Sequence, residues 1–224
     1  MNHSPYTKAV GRKFHADGSV RYFPGNTIIC PIPPDNAVYA ELVRFAERLK
    51  ALSCVSKFTL MPPSSYHMTV IQGVCEEDRK PELWSRDLPL DMPLEETDRY
   101  FRKKFAEIPI PHGFQMKFNE VETGSVALTL KLLPASDEDR EALTQFRDRV
   151  SEQLGLRFPD HEAYQFHITI AYKIYELTGE EVGELQQFKE QEDREFGDRI
   201  GGLATPSPQL VFFKDMFEFA SARP

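Results

Sequence analysis

Two stretches of this sequence hold side chains suited to moving protons: His67-Met68-Thr69-Val70 and, 100 residues later, His167-Ile168-Thr169-Ile170. Each is a His, an apolar residue, a Thr and a second apolar residue. On a β-strand, side chains two apart share a face, so His67 and Thr69 project together while Met68 and Val70 enter the core beneath. His167 and Thr169 do the same. Each strand then offers an imidazole that can carry a proton and a hydroxyl that can donate to an anionic oxygen. In-line displacement at a phosphodiester needs a base on one side of phosphorus, an acid on the other and donors for the non-bridging oxygens. Two such strands facing one cleft would supply all of these without a metal.

One copy alone carries little weight, because a strand His beside apolar residues is usually a half-buried structural histidine and Thr is simply a good strand former. The repetition is what makes the pattern informative. Lys173 lies on the His167 face by parity, and Lys57 and Lys131 can be placed similarly on neighbouring strands. Any of them could hold a phosphate, although solvated lysine is the commoner role. Gln165, of the same parity as His167, could touch a base edge. Lys173, Lys57 and Gln165 are therefore the candidate substrate-binding residues. Tyr66, Phe166 and Tyr172 fall on the opposite parity and are expected in the core. Tyr22, Phe23 and Trp84 lie in loops, where an aromatic ring either stacks on a base or covers the core.

No metal or cofactor is expected. His161, Glu162 and His167 lack the spacing of a zinc-binding helix, and His3, His15 and His112 have no ligand-like neighbours. A glycine-rich phosphate loop and a G-x-S-x-G elbow are both missing from the sequence. Cys54 and Cys75 flank the first tetrad and read as structural thiols.

The elements that must position the tetrads can be read from periodicity and punctuation. Residues 26–33 form a short apolar strand closed by prolines, after which Asp35 or Asn36 caps a helix running to about Leu52. Alternation over 56–61 and the first tetrad at 66–72 give two more strands. Residues 73–112, rich in charge and proline, read as a connector with one amphipathic helix over 94–106. A hairpin over 114–121 and 125–133 follows, then a helix opened by Ser136 and Asp139 and closed by Gly155. The second tetrad strand spans 165–173. Thr178 and Glu181 box the start of an acidic helix, and a Phe-rich strand over 208–219 closes the chain. This order is α+β with largely antiparallel sheets, in two halves that each include a helix. The lobes are placed at about 1–72 and 113–224 of a single domain.

The 224 residues, 41% hydrophobic with 17 Phe and 17 Pro, describe a globular domain rich in turns. A net charge of −8 excludes a coat for long nucleic acid, whose binding rests on many Lys and Arg contacts to phosphate. Nine acidic and three basic side chains between Glu176 and Arg199 account for most of that charge. Three cysteines with no C-x-x-C pair fit a reducing cytoplasm better than a disulfide framework. No apolar run suits a signal peptide or a membrane span.

The paired tetrads, HMTV and HITI, resemble the signature of the two-histidine (2H) phosphoesterases, the superfamily of 2′-5′ RNA ligase-like proteins and 2′,3′-cyclic nucleotide phosphodiesterases. The segments GRKF, FPGNTIICPI, PPSSYHMTV and FFKDMFEF are similar to a bacterial and fungal subgroup of it. The resemblance implies a bilobal, pseudo-symmetric fold whose two sheets form a concave central cleft, with helices on the outer faces. It also implies His67 and His167 as the acid/base pair and Thr69 and Thr169 as phosphate ligands. The expected activity is metal-independent hydrolysis of a small cyclic phosphodiester at a nucleotide or RNA end, by a monomer, with a pH optimum near neutrality. A non-catalytic nucleotide-binding or sensing module is the alternative from another class. A metal-dependent hydrolase using both histidines and a carboxylate is a third.

Overall fold

Prolines and polar clusters fall where the chain turns, and between them lie nine strands and four helices among the described residues, 5–222 of a computed structural model. In chain order these are β1 (Gly25–Pro31), α1 (Tyr39–Lys50), β2 (Phe58–Leu60), β3 (His67–Cys75), α2 (Leu94–Phe105), β4 (Gln115–Thr123) and β5 (Ala127–Pro134). There follow α3 (Asp137–Leu154), β6 (His167–Lys173), α4 (Gly179–Ile200), β7 (Leu203–Ala204), β8 (Gln209–Asp215) and β9 (Glu218–Ala220). No described helix is long and apolar enough to cross a membrane.

Caps mark two helices where the sequence places them. Ser136 Oγ accepts from the Asp139 amide at 3.1 Å, and Gly155 closes α3 in the left-handed region at φ 65°. Thr178 and Glu181 exchange both bonds of a capping box. α1 starts later than expected. Asn36 uses its side-chain oxygen to hold the Val38 amide at 3.1 Å, which makes a local turn, and the helix begins at Tyr39.

The fold is α+β, and its strand pairings are antiparallel, in the order β7-β4-β5-β6-β3-β1-β8-β9 with β2 also on β6. The two lobes meet at the tetrad strands, which share one ladder pair, Met68 with Ile168. Beyond that pair β3 and β6 diverge, and β2 occupies the opened edge of β6. Met68 and Ile168 are buried at 0% and 2% exposure, so the seam of the molecule is a hydrophobic contact between the two motifs.

The lobes are not successive halves of the chain. β8 pairs with β1, so the C-terminal strands return to the first lobe instead of staying with the second. They form two strands, β8 and β9, where one was expected. The acidic helix α4 docks on α1. Glu192, buried at 1% exposure, accepts from Arg48 at 2.7 Å and from Arg199, and Glu41 binds both arginines. Two glutamates and two arginines balance one another in this buried cluster, which pins the acidic helix to α1.

Candidate active site

The same local distortion occurs in both tetrad strands. Between β1 and β3 the register steps from Ile29–Thr69 to Ile28–Ile71, leaving Val70 as an extra residue. Between β5 and β6 it steps from Thr129–Thr169 to Leu128–Ala171, leaving Ile170 extra. Each bulge reverses the alternation that follows it. His67, Thr69 and Gln72 therefore face one cavity from β3, and His167, Thr169 and Tyr172 face it from β6.

This explains two departures from strict strand parity. Tyr172 is buried, as expected of a core residue, but lines the cavity as well, and Lys173, expected beside His167, is not among the lining residues. Lys57 lies in a 3-10 turn ahead of β2, where its ammonium binds Glu181 at 2.5 Å and the Glu176 carbonyl at 3.2 Å, so it too is outside the cavity. Gln165 is exposed and borders a separate groove with Lys131, Arg140, Phe166 and Tyr164. Lys131 pairs across the strands with His167 but is held by Glu122 at 2.9 Å. Tyr66 is core, as its parity implies. Of the loop aromatics, Phe23 lines the cavity, Tyr22 is exposed, and Trp84 is buried with its indole N–H on the Pro89 carbonyl at 3.1 Å. His3 lies outside the described residues.

Both imidazoles are held in the same way. His67 Nδ1 lies 2.7 Å from the Ser65 carbonyl, and His167 Nδ1 lies 2.8 Å from the Gln165 carbonyl. A carbonyl only accepts, so each Nδ1 carries the proton and each Nε2 is left with its lone pair for the cavity. Antiparallel pairing about Met68 and Ile168 sets His67 beside Thr169 and Thr69 beside His167 across the seam. Burial pushes His67 down to about 4, helped by the neighbouring His167 and Lys13 and opposed by the Ser65 carbonyl. His167 is also lowered, by burial first and then by Lys131 and Lys13, against the Gln165 carbonyl and Glu122. The cleft therefore holds two neutral imidazoles at neutral pH.

The cavity, about 300 Å³, extends from the tetrads along β3 to Gly73, Cys75 and Asp78. Gly73 is required there, since a Cβ would stand 2.2 Å from the Asn26 side-chain oxygen. Its walls are aromatic: Phe23, Phe158, Tyr164, Tyr172 and Phe219. The His67 ring packs on Phe219 at 4.4 Å between centroids. Tyr164, which sequence patterning did not single out, lines the cavity with Thr69; burial raises its hydroxyl, and Thr69 opposes that shift. Arg147 of α3 fixes this loop, donating to the carbonyls of Val70 and His161 while its guanidinium lies 4.6 Å from the Tyr164 ring centroid. Neither residue has a periodicity that links it to the tetrads; only the fold brings them together.

Both halves of the motif thus open on one cavity, and comparison with known proteins bears on what that cavity is. Residues 13–127 match the family model 2H-phosphodiest, described as a domain of unknown function (DUF1868). The chain belongs to this family. The match spans just over half of the sequence and takes in the first tetrad; the second lies beyond it and joins the site through the fold. Membership places the protein in the two-histidine phosphoesterase superfamily. A conserved protein of unknown function from Agrobacterium tumefaciens, ATU0111, is 29% identical with a TM-score of 0.90, over 99% of this chain and 94% of that one. TT0787 of Thermus thermophilus is 16% identical with a TM-score of 0.44, over 84% and 85% of the two chains. No curated protein matches.

Among the described residues, one group has the composition of a metal site: Asp148, His161 and Glu162, with ligand atoms within 4.8 Å of one another. It lies away from the tetrads, and Arg157 is already ion-paired with both carboxylates.

Proposed function

We propose that this family member hydrolyses a small cyclic phosphodiester at a nucleotide or RNA end, using His67 and His167 for proton transfer and Thr69 and Thr169 as donors to the phosphate oxygens. The observation that carries this reading is the matched tethering of the two imidazoles, which leaves two Nε2 atoms aimed into one cavity. One imidazole takes a proton from water as its oxygen attacks phosphorus. The other gives a proton to the departing sugar oxygen, and exchange with solvent restores both. His67, lowered furthest, suits the base because it stays neutral; His167 suits the acid. The anionic substrate raises both groups on binding and so favours the protonated acid.

Size and surface agree with such a ligand. A 300 Å³ cavity is at the small end of ligand pockets, which run roughly 300–1,000 Å³. Aromatic walls give a base something to stack on. The proton transfers and the charge stabilisation need no metal ion. Purified protein incubated with 2′,3′-cyclic mononucleotides is therefore expected to release nucleoside monophosphate equally well with and without excess EDTA. Activity abolished by the chelator and restored by a single divalent ion would move the assignment to a metal-dependent hydrolase. Tight binding without turnover would make the cleft a sensing site.

A further inference from the structure

The tetrads are two-fold symmetric, but the charge around them is not. Two cationic side chains line the cavity, Arg12 and Lys13. Arg12 is ion-paired with Asp78. Lys13 has no carboxylate within ion-pair distance among the described residues. Its ammonium donates to the Tyr172 hydroxyl at 3.1 Å and lies 5.0 Å from the Tyr172 ring centroid and 5.5 Å from that of Phe23. Aromatic faces and a hydroxyl hold an ammonium in place without cancelling its charge.

The backbone around Lys13 is equally fixed. The Lys13 amide donates to the Ala9 carbonyl at 3.0 Å, and its carbonyl accepts from the Arg21 amide at 2.9 Å. The segment that carries it is tied to the second lobe by the Thr7 amide on the Ile174 carbonyl at 3.0 Å, and to the first by the Phe23 amide on the Lys214 carbonyl at 2.7 Å. It ties the two lobes together and contributes Arg12, Lys13 and Phe23 to the cavity lining. Tyr172 is the symmetry counterpart of Gln72, so Lys13 is fastened to the β6 side of the pair, while the other lining cation, Arg12, is taken up by Asp78.

We propose that Lys13 binds the negative charge of the substrate and, by standing on one side of a symmetric pair of tetrads, fixes which way round the phosphodiester lies. This rests on reading the cleft as a phosphodiester site. A phosphoryl group drawn toward Lys13 and Tyr172 leaves the rest of the ligand to the arm of the cavity that runs along β3. The same ribose oxygen then departs in every turnover, toward the same histidine.

The test compares wild type with Lys13→Met, which keeps the length and apolar packing of the side chain, and Lys13→Arg, which keeps the charge. Binding of inorganic phosphate is followed through the NMR signals of His67 and His167. Hydrolysis of a 2′,3′-cyclic mononucleotide is followed together with the ratio of 2′- to 3′-phosphate released. Lys13→Met is expected to weaken phosphate binding and raise KM at least about tenfold, in the range of a lost hydrogen bond to a charged group. It is also expected to change a single product isomer into a mixture, while Lys13→Arg recovers most of both. Phosphate binding and isomer ratio unchanged in Lys13→Met would overturn the proposal with the phosphodiesterase reading intact. Phosphate binding that depends on Lys13 in a protein that cleaves no cyclic nucleotide would do the reverse. If Lys13→Met does not fold, Tyr172→Phe removes the hydroxyl that holds the ammonium and is read by the same two measurements, with no change in either counting against the proposal.

Discussion

His67 and His167 sit at matching positions on matching strands, each tethered through Nδ1 to the carbonyl two residues before it, yet their surroundings differ. His67 packs on Phe219 and is driven down to about 4. His167 has the Lys131–Glu122 pair nearby and Tyr164 at 6.3 Å between ring centroids. The bulges are closed differently as well. The Ile170 carbonyl receives the Met61 amide at 2.8 Å, whereas the Val70 carbonyl receives the buried guanidinium of Arg147. A two-fold backbone thus delivers two identical functional groups, and everything built around it makes them unequal. Chemistry that needs one acid and one base is served by that inequality.

The largest effect expected from breaking this arrangement lies beneath it. Met68 and Ile168 form the one ladder pair between the tetrad strands, and both are buried. Truncation of either to Ala is expected to cost about 2 to 5 kcal/mol of folding stability, because a cavity opens where the lobes meet and neither strand can close over it. Urea unfolding would measure this. A loss below about 1 kcal/mol, the scale of a trimmed surface side chain, would show that the seam is held elsewhere.

Next come the imidazoles themselves. Replacing His67 or His167 with Ala is expected to lower kcat by at least ~10² with little loss of ligand binding. The two groups should also be separable by pH. In the free protein both lie below the ordinary imidazole value of 6.5, and His67 lies near 4. A base that is lost only below about 4 and an acid that deprotonates below 6.5 put the expected maximum of kcat/KM on the acidic side of neutrality, where ordinary histidines would put it near neutral pH. The sign carries over to stability. Because the unfolded imidazole binds its proton more readily than the folded one, folding stability falls as the pH drops from 6.5 toward 4. Histidine NMR titration would check both statements, and ordinary values for both rings would remove the inequality between the lobes.

What the sequence makes legible, and what it hides, follows the same division. The tetrads, the capping boxes and most element boundaries are local, and local periodicity finds them. Positions after a bulge are not, because one inserted residue flips every side chain that follows. That is why Tyr172 reaches the cavity and Lys173 does not, against a strict alternation. Lys57 departs from its expected place for a related reason: it stands in a turn, and its partner Glu181 is 124 residues away. Lys13, Tyr164 and Arg147 lie in segments whose spacing bears no relation to the tetrads, and β8 shows nothing in its pattern of apolar residues to mark β1 as its neighbour. Contacts of this kind are made by the closing of the fold, and periodicity carries no record of them.

The smallest expected difference is between the two threonines, and it tests the comparison most finely. Thr→Val keeps the shape of the strand and removes a donor, so each replacement should lower kcat/KM by about 1 to 3 kcal/mol of transition-state stabilisation. The hydroxyls are not equivalent, however. Thr69 acts on the Tyr164 hydroxyl, opposing the rise that burial gives it, so a Thr69–Tyr164 hydrogen bond is the expected means of orienting Thr69 before substrate arrives. Tyr164→Phe removes that bond without altering the ring beneath the Arg147 guanidinium, and the expected loss is about 0.5 to 1.5 kcal/mol, the scale of one net hydrogen bond. Combined with Thr69→Val, the Tyr164 change should add almost nothing, because its partner is already gone. Combined with Thr169→Val, it should add in full. Equal additivity in the two double mutants would mean that Tyr164 acts on the site by some route other than Thr69.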